Sequence, residues 1–169
     1  MNNNIINPTD LQLNDEHVIQ IKRVSKATTG GRRMRFSAVV VVGDGSGHVG
    51  IGFGRANEVA SAVDKAKISA KKRIFKIPMM KGTTPHRLDI KFGSVKLMIK
   101  PASPGTGIIA GAAVRAIMEQ LGITDILTKN TGSTNPINVV KAVEFGLKQL
   151  RDPLMVSRQR GISLKELFN

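Results

Sequence analysis

The chain has 169 residues and carries 26 Lys and Arg against 12 Asp and Glu, a formal net charge of +14. That balance points to a polyanionic partner, nucleic acid first and an anionic membrane surface second. The absence of cysteine excludes a disulfide framework and a thiolate zinc site, no apolar run is long enough to span a bilayer, and no apolar segment follows a charged N-terminus as a secretory signal would require.

Residues 1–15 are Asn-rich and polar, with Pro8, and read as a loose leader. A first strand begins near His17 with Val18–Ile21. It runs into the segment Lys22–Arg35, KRVSKATTGGRRMR, where six of fourteen residues are basic and none is acidic. The Gly30-Gly31 pair inside it is a bend that lets the segment fold back as a hairpin. Phe36–Val42 is a second strand, β-branched and apolar, and Gly43–Gly47 a turn. In the third strand Val49, Ile51 and Phe53 alternate with Gly50, Gly52 and Gly54. One strand face is therefore bare, open to close approach by a helix or by an RNA backbone.

A helix is expected from Asn57 as N-cap to about Lys76, with Val59, Val63, Ala66, Ala70 and Ile74 on one face. Lys65, Lys67, Lys71, Lys72 and Arg73 crowd the remainder against a single acid, Asp64. This exceeds what the helix dipole requires and favours RNA contact over a merely solvated face. Pro78, Gly82 and Pro85 mark a linker, so a domain boundary is placed near residue 80, dividing the chain into 16–80 and 81–169. The second part reads as a hairpin (Leu88–Phe92 and Val95–Lys100), a Pro/Gly turn over 101–107, a small-residue helix over Ile108–Leu121 closed by Gly122, and a strand over Ile123–Lys129. A helix over 136–150 then opens with Asn135 as N-cap and Pro136 at its first position. Ser163 and Glu166 form a capping-box signature for a last short helix. The fold class is α+β. Two units of about 80 residues have little core to spare, so their mutual interface or bound partners should add stability.

Residues 1–84 hold 14 basic and 6 acidic side chains, residues 85–169 hold 12 and 6; the nets of +8 and +6 mean that both halves face the polyanion. Aromatic residues are scarce, with six Phe and no Trp or Tyr. Single-strand readers stack bases on aromatic platforms, so the composition favours backbone and shape recognition of structured nucleic acid. Gly45-Ser46-Gly47-His48-Val49-Gly50 matches GxGxxG, but it leads into a strand where a dinucleotide fold needs a helix; it reads as a β-turn. Gly52-Phe53-Gly54 has too few aromatic neighbours for an RNA-recognition-motif strand. Gly105-Thr106-Gly107 is read as opening the Ala/Gly-rich helix. Its N–H groups are suited to a phosphate or to an N-cap turn, and both roles can hold. Ser133-Thr134-Asn135 is a similar entry in which N-capping is favoured. Carboxylates are dispersed and the three histidines scattered, so no catalytic, metal or cofactor site is expected.

The stretches KRVSK…GGRR, VVVVGDGSGHVGIGFGRANEV, KPASPGTGIIAGAAVRAI and GSTNPINVVKA, in this order between Glu16 and Phe168, resemble bacterial small-subunit ribosomal protein five. The resemblance implies a first domain like the double-stranded-RNA-binding fold, with three strands and a helix, and a C-terminal α+β domain typical of that family. It implies a structural component of the small ribosomal subunit, cytoplasmic or organellar, that binds 16S-type rRNA where head meets body. The loop Val24–Arg33 would reach RNA of the head. Proteins four and eight would be neighbours, protein four near Gly105, Gly107, Gly111 and Arg115 at an interface tied to decoding accuracy. Arg23 and Lys26 are candidates to face messenger RNA at its entry site. Thr29 stands where many relatives carry a basic residue, and Pro104 where some carry Glu.

From residues and resemblance together, the candidate RNA contacts are Lys22, Arg23, Ser25, Lys26, Gly30, Gly31, Arg32, Arg33 and Arg35 of the arm. To these are added Arg55, Lys65, Lys71, Lys72 and Arg73, and the loops Gly105-Thr106-Gly107 and Ser133-Thr134-Asn135. A free regulator binding double-stranded RNA and an enzyme acting on a phosphate substrate at Gly105–Gly107 are the competing readings.

Overall fold

The computed structural model describes residues 11–168; most of the expected leader, residues 1–10, lies outside them. Two four-stranded sheets follow one another along the chain. The first has the order β1-β2-β3-β4 and is antiparallel throughout: β1 His17–Thr28, β2 Gly31–Gly43, β3 His48–Ala56 and β4 Ile74–Lys76, with helix α1 (Val59–Lys71) between β3 and β4. The second is built from β5 Leu88–Phe92, β6 Val95–Pro101, β7 Ile108–Ile109 and β8 Ile126–Asn130 in the order β5-β6-β8-β7. Helix α2 (Ala112–Leu121) precedes β8, and α3 (Pro136–Leu147), α4 (Pro153–Arg160) and α5 (Leu164–Leu167) complete the chain.

The bare face of β3 meets a helix. A Cβ built on Gly50, Gly52 or Gly54 would stand within 2.3 Å of the carbonyl oxygens of Ala70, Ala66 and Ala62. Small residues on both partners let α1 lie directly on the strand backbone, and Ala62, Ala66 and Ala70 are fully buried there with Ala38, Val40 and Val42. RNA has no access to this face. The opposite face of the same sheet carries Val39, Val41, Val49 and Ile51. These pack into one continuous core with Ile117, Met118 and Leu121 of α2, the inner faces of β5 and β6, and Val140, Val143 and Leu147 of α3. Each fully buried Ile, Leu or Met contributes roughly 1.5–3 kcal/mol, so the two sheets are joined through their cores.

Backbone contacts reinforce that junction. The GxGxxG segment is a turn whose Gly45 and Gly47 amides donate to the Gln120 and Leu121 carbonyls at the C-terminal end of α2, at 3.1 and 3.0 Å. Those carbonyls lack intrahelical partners. A dinucleotide loop points its amides at a phosphate beside a helix N-terminus; here they cover the opposite pole. Gly122 caps α2 in the left-handed region at φ 81, and a side chain there would strike the Gly45 carbonyl. Asp44 fixes the turn by accepting from the Ser46 and His48 amides at 2.7 and 3.0 Å and by contacting the His48 ring. Burial opposes its ionisation, but these hydrogen bonds prevail and hold the carboxyl below its usual range.

Several elements differ from expectation. Helix α1 is capped at Glu58, not Asn57, and stops at Lys71; Ile74–Lys76 instead forms β4. The open edge of β3 supplies hydrogen-bond partners that outweigh the helical spacing of Ile74, which pairs with Gly50. Ile108 and Ile109 likewise pair in parallel with Ile126 and Leu127, so α2 begins after its N-cap Gly111, not at residue 108. Strand β8 starts at Ile126, not Ile123. Helix α3 ends at Leu147 rather than Leu150, as bonds from Gln149 to Gly146 and Leu150 to Leu147 tighten the exit. Helix α4 was hidden in the tail, although Asp152 caps it by accepting from the Leu154 amide at 3.0 Å. The Ser163/Glu166 capping box forms at α5 as expected. The last residues of the expected loose leader are tied down: Leu13 packs beside α1's core, and the Asn14 amide donates to Gly43.

Candidate nucleic-acid interface

The cationic segment is the distal half of the β1–β2 hairpin. Pairing continues without a break from Gln20↔Val39 through Lys22↔Ser37 and Val24↔Arg35 to Thr28↔Gly31. Thr29 and Gly30 alone form the loop. Gly31 adopts φ 128, a conformation that disfavours side chains, and the Thr28 hydroxyl donates to the Gly31 carbonyl at 3.0 Å. Every residue from Ile21 to Arg35 is exposed. The strands thus extend beyond the core as an ordered ribbon, longer than the expected Val18–Ile21 and Phe36–Val42 alone.

Strand alternation sorts the charges. Cross-strand pairing places Lys22, Lys26, Arg33 and Arg35 on one face, with Val24. Arg23 and Arg32 occupy the other, with Ser25, Ala27, Met34 and Phe36. None of the six cations forms an ion pair among the described residues. Arg55 pairs with Ser37 across β2–β3, so it continues the four-cation face.

The cations around α1 do not form a single patch. Lys67 bonds Glu16 at 2.6 Å, and that hydrogen bond lowers the Glu16 pKa and raises that of Lys67. Lys71 lies close enough to add to the field on Glu16. Lys65 and Lys72, seven residues apart, face outward together. Arg73, beyond the helix, lines a cleft between α3 and the first sheet.

The Gly105–Gly107 loop has an internal anion. The Gly107 amide donates to Asp125 Oδ1 at 2.9 Å, and the Thr124 hydroxyl donates to its other oxygen at 2.7 Å. The Gly107 amide, then the Thr124 hydroxyl, depress the Asp125 pKa against the effect of burial, with further help from the Gly105 and Thr106 amides. The loop precedes β7 rather than a helix, so the expected helix opening is corrected: no helix dipole stands behind it, and its Gly107 amide is engaged by a carboxylate. Arg115 reaches back to the Ile108 carbonyl at 3.0 Å, while Gly111 is exposed at the start of α2. At the α3 entry, Asn135 occupies the N-cap but its side chain bonds no helix amide. Asn130 instead orders the loop, accepting from Gly132 and donating to the Ser133 carbonyl, while Ser133 Oγ accepts from the Asn135 amide. Thr134 is exposed.

Sequence reasoning omitted Lys141, Lys148, Phe92 and Phe145, which line the same cleft as Arg55 and Arg73. The spacing of Lys141, Phe145 and Lys148 on one helical face was the available signal. Among the described residues no cluster of three or more His, Asp or Glu is placed to hold a metal ion, and no helix is long and apolar enough to cross a membrane.

A sheet covered by one helix, carrying a long basic hairpin and joined to a second α+β unit, defines a two-domain protein whose first domain is like the double-stranded-RNA-binding fold. Residues 14–78 match the family described as ribosomal protein S5, N-terminal domain, and residues 90–160 match ribosomal protein S5, C-terminal domain. The chain is 48% identical to small ribosomal subunit protein uS5 of Bacteroides thetaiotaomicron, over 99% of this chain and 97% of that one. It is 46% identical to that of Bacteroides fragilis over the same shares, and 50% identical to that of Dehalococcoides mccartyi over 95% and 93%. The chain belongs to the ribosomal protein uS5 family, a structural and non-enzymatic family of the small ribosomal subunit.

Proposed function

We propose that the chain braces small-subunit rRNA by inserting the β1–β2 hairpin between RNA helices, one on each face of the ribbon. The observation that carries this reading is the sorting of cations: Lys22, Lys26, Arg33 and Arg35 on one face and Arg23 and Arg32 on the other, all exposed and none ion-paired among the described residues. Continuous strand pairing holds them in place, so little ordering entropy is lost when phosphates are gripped. Lys65 and Lys72 add a separate outer contact. The family resemblance extends the reading to the head–body junction, to messenger RNA at its entry site facing Arg23 and Lys26, and to proteins four and eight as neighbours. The edge formed by β7 and Gly111 is the surface offered to protein four, and its geometry depends on the Asp125 clasp.

If about eight phosphates are neutralised, affinity for rRNA falls on the order of a thousandfold or more between 50 and 200 mM salt. A flat dependence would sink the reading. Co-sedimentation with small subunits through a high-salt gradient separates assembly into the subunit from free double-stranded-RNA regulation, which predicts release.

A further inference from the structure

Helix α3 and the first sheet enclose an open cleft of about 710 Å³. Its walls carry Arg55, Arg73 and Lys141, and three of the chain's six phenylalanines, Phe53, Phe92 and Phe145. The one carboxylate in the lining, Glu144, is engaged by Lys148 at 2.6 Å, and Lys148 itself sits over the Phe75 ring, 4.7 Å from its centroid. Arg55, Arg73 and Lys141 form no ion pair among the described residues. The cleft therefore presents three uncompensated cations.

The aromatic groups make it more than a charged groove. Phe145 is 46% exposed although it lies on a helix that is otherwise largely buried. Its ring is backed by Phe92, with centroids 5.8 Å apart at 46°. Lys141 lies 5.6 Å from the Phe53 centroid. An exposed ring supported from behind and flanked by unpaired cations fits a flat group attached to an anionic backbone. Nucleobases on a phosphodiester chain have that combination; an acidic peptide supplies the charge without the planar face.

The cleft is also continuous with the hairpin. Lys26, Arg33, Val24, Arg35, Lys22 and Ser37 share one sheet face by register, and Ser37 pairs onward with Arg55 and Val39 with Phe53. From Arg33 to Ser37 the strand advances about 13 Å. A single cationic track therefore runs from the hairpin tip into the cleft.

We propose that this cleft is a second RNA subsite, which takes an unpaired nucleotide leaving a duplex gripped by the hairpin: Arg55, Arg73 and Lys141 hold its phosphates and Phe145 stacks its base. The proposal rests on the RNA-bracing reading and adds a single-stranded element to it. The scarcity of aromatic residues conceals their concentration at this one place.

The test uses the full chain in fluorescence-anisotropy titrations with a blunt RNA duplex, the same duplex bearing a short single-stranded overhang, and that overhang made abasic. The expected result is tighter binding of the overhang duplex than of either other probe. Phe145→Leu, which keeps an apolar contact with Phe92, should remove about tenfold of that gain, as loss of one stacked base does. It should leave blunt-duplex affinity and thermal unfolding unchanged. Lys141→Ala should reduce the salt slope for the overhang duplex by about one. Equal affinity of parent and Phe145→Leu for the overhang duplex overturns the cleft proposal while blunt-duplex binding upholds the bracing reading. Failure of the parent to bind the blunt duplex overturns the bracing reading itself. Displacement of the overhang by polyglutamate, with the blunt duplex still bound, assigns the cleft to an acidic protein segment and also overturns the proposal.

Discussion

The carbonyl oxygen of Ala66 lies where a side chain on Gly52 would begin: a Cβ built there stands 1.9 Å from it. Helix α1 cannot approach the strand this closely with any larger residue at the site. Gly52→Ala should cost at least the roughly 1–3 kcal/mol typical of overpacking, read as a lower urea midpoint. Gly30→Ala is the control. Nothing lies within 4 Å of Gly30 and its φ is ordinary, so stability should stay within about 0.5 kcal/mol. Equal losses at the two sites would contradict the contact.

Arg32 and Arg33 lie on opposite faces of the hairpin and are both exposed. Replacing both with Ala should reduce the salt slope of rRNA binding by about two and weaken affinity, while thermal unfolding is nearly unchanged. A large drop in melting temperature would make the pair structural instead.

Gln120 ties helix α2 to the first sheet and the segment before it, its Oε1 accepting from the Gly43 amide at 3.1 Å and its Nε2 donating to the Asp15 carbonyl at 3.3 Å. Gln120→Ala leaves the Gly43 amide without that partner and should destabilise the protein by about 1–2 kcal/mol. Hydrogen exchange at Gly43 should quicken more than at Val40, deep in the first sheet; uniform acceleration would mean that the bridge is not local.

Asp125 and Asp44 both have depressed pKa values in the folded protein. Their stabilisation is therefore complete above the unfolded carboxylate value of about 4 and is lost as pH falls through it toward the lower folded value. Asp125→Asn should be less stable than the parent at pH 7, with the difference narrowing as pH falls below the unfolded carboxylate value. Thermal unfolding from pH 7 to pH 3 checks this. A difference constant with pH would show that the carboxylate charge is irrelevant to the Gly105–Gly107 clasp.

Most elements governed by one local signal are readable in the sequence, helix α4 behind its Asp152 cap being the exception. Alternation in Phe36–Val42, the Gly30-Gly31 bend and the Ser163/Glu166 box each correspond to the observed element. The largest differences fall where a distant strand competes. Ile74 has helical spacing but joins the edge of β3, and Ile108-Ile109 precede a helix but pair with Ile126-Leu127. Hydrogen bonds to segments more than fifteen residues away leave no local trace. The candidate site was legible as a list of cations but not as an arrangement, because opposite faces of a ribbon or helix alternate within a few residues.

Charge, the α+β class, the hairpin and the family are all carried by local sequence, because composition, alternation and glycine placement act over short stretches. Which contacts the loops already make emerges from the packed fold. The GxGxxG amides cap the end of α2, the Gly107 amide is held by Asp125, and Lys67 is held by Glu16. It also brought Phe92 and Phe145 beside Arg55 and Arg73. These pairings depend on cross-chain packing of the shared core, where buried or partly buried polar groups must find partners wherever the fold puts them.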